Sequence, residues 1–433
     1  MTDRADRARI VVTGTGVVTA GGDGMADTWR TLCEGRGTAR HDPALDGTPV
    51  PISCRPPHPE DAPVRQGWRL DRSTRYLLTA AREALREAGI EAFGPPAPDW
   101  DPARVAVVIG SAAGGVAVLE NAHRRLLERG PDALSPLALT GYLPNLSAAG
   151  HLALALRTTG PALHTSTACA SGANAIAHAA LLLATGACDL AVTGGTDAMA
   201  TPLCAAAFAR TGALSRRTDR PATASRPFDR DRDGFVLGEG AGVLVLERAA
   251  EAAARGAPAL AHLAGWATTS DAHHPTAPDP AGRGLRAAVA LALRAADAAP
   301  GEVEHVNAHG TGTPRGDRTE AAAIRELFAR TPPSVTSAKG ALGHTMGAAG
   351  AIEAALTVRT LRTGTVPPTA NHDAPGPDTA GIDLVTGRPR DHGPRLALSH
   401  SLGFGGHNTV LVLRRTDTSQ GSGSALTEDA HRP

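Results

Sequence analysis

Short β-branched runs alternate with long Ala-, Leu- and Arg-rich stretches along the chain, and no other feature restricts the available folds as much. In the first series residues 10–12, 104–109 and 190–193 read as strands, and residues 73–88, 145–156 and 173–187 as helices. A second series follows: strands at 242–246, 260–266, 305–308, 335–337, 395–399 and 408–413, with helices at 284–298, 319–330 and 348–363. Strands feeding helices predict α/β layers. The element order alone predicts two similar halves, residues 1–258 and 259–415. Pro/Gly-rich residues 42–63, 93–102 and 273–284 predict surface loops, and the Ser/Gly/Thr-rich residues 416–433 predict a disordered tail.

With 433 residues the chain can bury a large core without disulfides or metals. Its 43 Lys+Arg balance 43 Asp+Glu and only 3% of residues are aromatic, which argues against nucleic acid and acidic membranes as partners. Residues 1–9 are polar and carry no apolar segment of the export type, so a cytoplasmic location is expected. Residues 173–187 are too few for the roughly 18–20 apolar residues that span a bilayer, and read as a buried helix. Five cysteines, at 33, 54, 169, 188 and 204, show no CxxC spacing and suit free thiols rather than disulfides or a metal site. Among the 43 basic residues Lys339 is the single lysine, so its compact ammonium is a candidate for chemistry that Arg cannot supply.

Gly14-Thr15-Gly16 faintly suggests a dinucleotide loop, but Val17-Val18-Thr19 continues the strand instead of opening a helix. His273-His274 with Asp279 approaches an HHxxxD general-base pattern with one residue too many, and reads as a loop feature. The stronger signal is Thr167-Ala168-Cys169-Ala170-Ser171-Gly172, directly before the apolar helix. A thiol at a helix start is expected to have a lowered pKa, against the common alternative of a small buried core cysteine. His309, in Asn307-Ala308-His309-Gly310-Thr311-Gly312-Thr313-Pro314, and Lys339 and His344, in Ser337-Ala338-Lys339-Gly340-Ala341-Leu342-Gly343-His344, end strands in the same manner. Asp317, Glu320 and Glu353 supply carboxylates to orient or balance them.

These segments, together with Gly403-Phe404-Gly405-Gly406-His407-Asn408, Ser225-Arg226-Pro227-Phe228-Asp229 and Asp233-Gly234-Phe235-Val236-Leu237-Gly238-Glu239-Gly240, resemble an elongating β-ketoacyl-ACP synthase of type II fatty-acid or polyketide synthesis. The resemblance reaches from Val11 to about residue 414. It implies the α/β thiolase fold, a duplicated αβαβα five-layer architecture, usually dimeric. It also implies decarboxylative Claisen condensation of malonyl-ACP with an acyl chain held on Cys169. His309 and His344 would serve the decarboxylation, with Lys339 and Glu353 setting their charge and Asp317 and Glu320 in support. The N–H groups of Cys169 and Phe404 would form the oxyanion hole, with Phe404 a gate hinged on Gly403 and Gly405.

The resemblance further implies acyl carrier protein as partner, no cofactor or metal, and a homodimer or a heterodimer with a chain-length-factor-like subunit. Cys-His-His, with no second C-terminal cysteine, implies elongation rather than initiation or thiolysis. Ala113 and Phe208 fall on the acyl pocket, where fatty-acid enzymes often carry a bulkier residue than Ala113, so an unusual acyl chain is expected. Arg65, Arg69, Arg72 and Arg75 fall on the carrier-protein patch, and Arg216-Arg217 also remain, although residues 130–134 lack basic groups. The Arg-rich, Lys-poor composition suits a high-GC bacterium and favours a natural-product pathway. Housekeeping fatty-acid elongation and a non-catalytic chain-length-determining subunit stay as alternatives.

Overall fold

The computed structural model describes residues 9–57, 70–93, 100–143 and 145–416. The strands of its large mixed sheet are β1 (Ile10–Val18), β2 (Val105–Gly110), β3 (Ala162–Thr165), β4 (Leu190–Ala198), β5 (Glu239–Arg248), β6 (Ala261–Ser270), β7 (His305–Asn307), β8 (Ser334–Thr336), β9 (Asp383–Leu384), β10 (Leu396–Gly403) and β11 (His407–Arg414). The longer helices are α1 (Arg72–Glu87), α2 (Val116–Arg129), α3 (Ser171–Ala184), α4 (Pro202–Thr211), α5 (Arg283–Ala295), α6 (Pro314–Leu327) and α7 (Ala349–Thr363).

Across the sheet the order is β9-β8-β7-β10-β11-β6-β1-β5-β4-β2-β3. Outward from the centre the first half reads β1-β5-β4-β2-β3 and the second β6-β11-β10-β7-β8. In each, two antiparallel pairings are followed by two parallel ones. The halves therefore share one topology, with β9 added at the far edge. At the centre Ile10, Val11 and Val12 of β1 pair with Leu263, His262 and Ala261 of β6, so one ladder joins the two.

Apolar pattern fixes the layers. α3 and α7 lie together in the middle, where Ala173, Ile176, Ala351, Ile352 and Ala355 pack with Leu244, Leu246, Leu263 and Leu411. Small residues let these helices approach closely. A Cβ on Gly172 would meet Gly347 O at 2.8 Å, and one on Gly350 would meet Ala173 Cβ at 2.8 Å. On the outside, α1 sets Leu77, Ala81, Ala84 and Leu85 against Val107, Ile109, Val192 and Val243. α5 and α6 set Leu285, Val289, Ala321 and Ile324 against Val306, Val335, Leu398 and Val410. This is the duplicated αβαβα layering of the thiolase fold.

The Gly14-Thr15-Gly16 pattern serves that packing. A Cβ on Gly14 would lie 1.9 Å from Ala84 O and one on Gly16 2.0 Å from Ala80 O, so both glycines admit the α1 backbone onto β1. Four elements escape the sequence pattern, α2, α4, β3 and the two-residue edge strand β9. Of α2 only Ala117 is buried, while Leu119 and Leu127 are 47% and 74% exposed, and the edge strand β3 has no buried residue. α6 begins at Pro314, earlier than expected, because proline sits at its first turn behind Thr313, whose side chain accepts from Gly316 N. Residues 273–282 hold no helix or strand, and residues 417–433 lie outside the described ones. No helix among the described residues is long and apolar enough to cross a membrane.

Candidate active site

Cys169 stands on a tight turn between β3 and α3. Ala168 takes φ 50°, a left-handed conformation unfavourable for a residue with a Cβ. The Ser171 hydroxyl holds the turn by accepting from Thr167 N (3.0 Å) and donating to Ala168 O (2.6 Å). Cys169 thus precedes the N-cap Ala170 and lies outside the first turn proper. Burial pushes its thiol up to about 12, against the pull of Lys339 and with a further push from Asp197. The lowered pKa expected from a helix start is therefore corrected: desolvation outweighs the nearby amides, and the resting group is a thiol. The N–H groups of Phe404 and of Cys169 itself donate toward Sγ.

His309 follows β7, and Glu320 on α6 places it: His309 N and Gly310 N donate to Glu320 Oε1 and Oε2, both at 2.8 Å. The same carboxylate bonds His400 Nδ1 at 3.1 Å. Asp317 holds the rest of the loop, accepting from Gly312 N (3.1 Å) and Phe228 N (2.6 Å). Lys339 and His344 follow β8. Lys339 Nζ bonds Glu353 Oε1 on α7, and both side chains are buried. Burial pushes the Glu353 carboxyl up to about 7, with Lys339 restraining it.

The two imidazoles meet edge to face, with ring centroids 5.4 Å apart. Burial holds both well below the ordinary histidine range, and the Lys339 cation adds to this, so both are neutral at pH 7. His344 Nδ1 accepts from Met346 N at 3.3 Å, which leaves its proton on Nε2. Among the described residues His309 Nδ1 is buried without a hydrogen-bond partner. Cys169, His309, His344 and Phe404 line one cavity of about 410 Å³, with Phe208 and Met346 beside them. A cavity with a thiol, two amide donors and two neutral imidazoles can hold an acyl thioester and stabilise negative charge developing at a second thioester oxygen.

Gly403 has room for no side chain, since a Cβ there would meet Thr167 O at 2.5 Å, and Gly405 and Gly406 take φ 86° and 77°. The segment bearing Phe404 is thus backed by the Cys169 turn and followed by two left-handed glycines. Phe404 lies 6.3 Å from Phe208 between ring centroids.

Other expected residues fall elsewhere. Ala113 is not on the cavity wall; it packs behind it, in a cluster that includes Val116, Cys169 and Phe208. Arg72 and Arg75 do not form an exposed patch. α1 turns Arg72 onto the buried Glu239, which it bonds twice (2.7 and 3.2 Å) beside Tyr76, and Arg75 is only 8% exposed. Arg65 and Arg69 lie outside the described residues. Arg217 donates to Asp231 O at 2.7 Å. Sequence reasoning passed over Met346, Thr311 and Thr313, which line the cavity, and Asp197, whose signal is a carboxylate closing a strand of small and apolar residues.

Comparison with known proteins places these features in a group. The family described as "Beta-ketoacyl synthase, N-terminal domain" matches residues 7–252, and "Beta-ketoacyl synthase, C-terminal domain" matches residues 260–373. A 3-oxoacyl-[acyl-carrier-protein] synthase 2 from Synechocystis sp. is 39% identical over 419 residues, covering 95% of this chain and 99% of that protein. Two solved structures cover 94% of this chain and 99% of their own. The ishigamide ketosynthase/chain length factor has 32% identity and a TM-score of 0.84. A type II PKS acyl-carrier protein in complex with its ketosynthase bound to the hexaketide has 29% identity and a TM-score of 0.86.

Proposed function

The chain belongs to the beta-ketoacyl synthase family, an acyltransferase family, and from that premise we propose that it elongates a Cys169-bound acyl chain with malonyl-ACP in a bacterial polyketide-type pathway. The observation that carries the reading is the convergence of Cys169, His309, His344 and the Phe404 amide on one cavity. The first half, residues 1–258, supplies the nucleophile and the second, residues 259–415, the two histidines.

In the first step Cys169 Sγ attacks the carbonyl of an acyl-ACP. The acyl–sulfur bond to the carrier breaks, and the thiol proton ends on the carrier's sulfur. The Cys169 and Phe404 amides stabilise the tetrahedral oxyanion. Malonyl-ACP then loses CO₂. Its thioester oxygen becomes an enolate, met by the neutral Nε2–H of His344 and by His309. The enolate carbon attacks the Cys169 thioester, a C–C bond forms, the C–S bond breaks and the Cys169 sulfur takes up one proton. Neutral imidazoles suit this role because they donate a hydrogen bond without surrendering the proton to solvent.

The neighbouring structures with a carrier protein and with a chain length factor support the same two partners here. Leu119 and Leu127 on α2 and the exposed edge strand β3 offer the apolar surface for a second subunit. The test follows loading by intact mass and condensation by product formation. His309→Ala and His344→Ala should abolish condensation while Cys169 still accepts a hexanoyl group from its carrier protein. Normal elongation by both variants would refute the roles. Condensation by the isolated chain favours a homodimer, and activity only with an added chain-length subunit favours the heterodimer.

A further inference from the structure

We propose that Asp197 is a positioning residue: by holding the Gly347 amide it fixes the left-handed turn at Met346 that orients His344 and sets its tautomer. The inference rests on the assignment of His344 to malonyl decarboxylation and extends it to a residue that touches neither substrate nor imidazole.

Asp197 closes β4 and is fully buried. Its Oδ1 accepts from the Ser111 hydroxyl (2.6 Å) and Ala113 N (3.3 Å), and its Oδ2 from Ala112 N (2.8 Å) and Gly347 N (2.6 Å). Three of these donors come from the loop after β2. The fourth reaches across from the other half of the molecule.

Met346 takes φ 51°, which a residue with a Cβ holds only when its surroundings over-determine it. Two bonds bracket it. Ala348 N donates to Thr345 O at 3.0 Å, and Gly347 N donates to Asp197. The turn so formed aims Met346 N at His344 Nδ1 (3.3 Å). Among the described residues the other contacts of His344 act on its backbone, through Val236 O and Gly238 N, and on its ring, through the edge-to-face neighbours Phe235 and His309. Among the described residues only the Met346 amide hydrogen-bonds the ring, and it distinguishes Nδ1 from Nε2. There is no slack in the clamp: a Cβ on Gly347 would lie 2.4 Å from Asp197 Oδ2 and 2.5 Å from Ala112 N.

Three variants test this. Asp197→Ala removes both acceptors, and Gly347→Ala forces the same contact apart from the opposite side. Asp197→Asn can keep a carbonyl oxygen toward Gly347 N and Ala112 N while its amide donates to the Ser111 hydroxyl, losing only the long Ala113 N bond (3.3 Å). The readouts are CO₂ release from malonyl carrier protein, loading of Cys169 from hexanoyl carrier protein, and the melting temperature. Asp197→Ala and Gly347→Ala should lower decarboxylation about tenfold or more, the equivalent of one lost buried hydrogen bond, with loading within about threefold of the parent. Asp197→Asn should retain most of the decarboxylation.

Equal loss of both half-reactions alongside a lower melting temperature would reduce Asp197 to a fold anchor and overturn the proposal. Unchanged decarboxylation in Asp197→Ala would overturn it too, as would an Asn variant as impaired as Ala, which would point to charge instead of the hydrogen bond. If the parent protein itself releases no CO₂ from malonyl carrier protein, the ketosynthase reading fails before the positioning role is reached.

Discussion

Lys339→Met keeps a side chain of similar length and removes its charge, which isolates what the ammonium does. Lys339 and Glu353 form an ion pair with side chains only 2% and 3% exposed. Burial raises the Glu353 carboxyl from 4.5 to about 7 while Lys339 holds it down, so without the lysine it rises further and stays neutral. A carboxyl whose folded pKa lies above its unfolded value contributes stability that is complete below the unfolded pKa and lost as pH rises through the folded one. With a folded value of about 7, the Glu353 contribution falls by roughly 1 kcal/mol between pH 6 and pH 8. In Lys339→Met the carboxyl holds its proton to higher pH and the fall is expected to be roughly twice as large. Burial, which the two proteins share, is the chief cause that depresses His309 and His344, so they cancel to first order in the comparison. Urea denaturation at the two pH values should therefore show the variant losing roughly 1 kcal/mol more than the parent. Condensation should also fail at a higher pH on its acid side, because both imidazoles lose a repelling cation and protonate more readily. Stabilities that change in parallel for the two proteins would show that Lys339 does not govern the charge of this buried cluster.

Three further outcomes follow from the same geometry. Alkylation of Cys169 by iodoacetamide should rise about tenfold per pH unit from pH 7 to 9 without levelling, as a thiol pushed up to about 12 requires, and peptide mapping should find it ahead of the buried Cys54, Cys188 and Cys204; a plateau near pH 8 would mean a stabilised resting thiolate. Ala113→Ile crowds the cluster shared with Val116 and Phe208 at about 1–3 kcal/mol; rate losses that grow with primer length mark an acyl path behind the cavity, whereas uniform loss with a lower melting temperature marks packing alone. Arg72→Ala leaves the buried Glu239 without its cation and should cost about 3–5 kcal/mol in stability without raising KM for the carrier protein; a raised KM at unchanged melting temperature would return Arg72 to the docking surface.

The sequence was most legible where structure is local. The 3.6-residue period of α1 and the apolar runs of β4 and β5 need no distant partner to be recognised, and the order of elements sufficed to suggest two halves. β3 and α2 were hidden because most of their apolar side chains stay uncovered among the described residues, so the usual alternation of buried and exposed positions never forms. Around the site, Cys169, His309 and His344 stood out because glycine and threonine turns at strand ends are short-range features. The state of the thiol was not legible, since the helix start is local and the desolvation that overrides it comes from the assembled fold. Arg72 misled for the same reason: the acid that draws it inward is Glu239, 167 residues along the chain.

Equivalent places in the two halves carry different chemistry, and this explains why one site needs both. β3 and β8 occupy matching positions; Cys169 follows the first, and Lys339 and His344 the second. β2 and β7 match likewise, leading to Ser111 and Ala113 on one side and to His309 on the other, while β4 ends in Asp197 and Ala198 and β10 in Gly403, beside Phe404. In each half these three strands run parallel, so their carboxyl ends share one edge, where the chain leaves the ladder and side chains are free to diverge. A single copy would have to place the Cys169 thiol and a buried lysine after the same strand; duplication lets one copy keep the small residues of the Cys169 turn and the other keep the cation and imidazoles. The two edges can meet only if nothing projects between them. A Cβ on Gly195 would lie 2.6 Å from Gly347 O, and the contacts at Gly172 and Gly350 are as close, so the approach that brings Cys169 to His344 depends on glycines contributed from both copies.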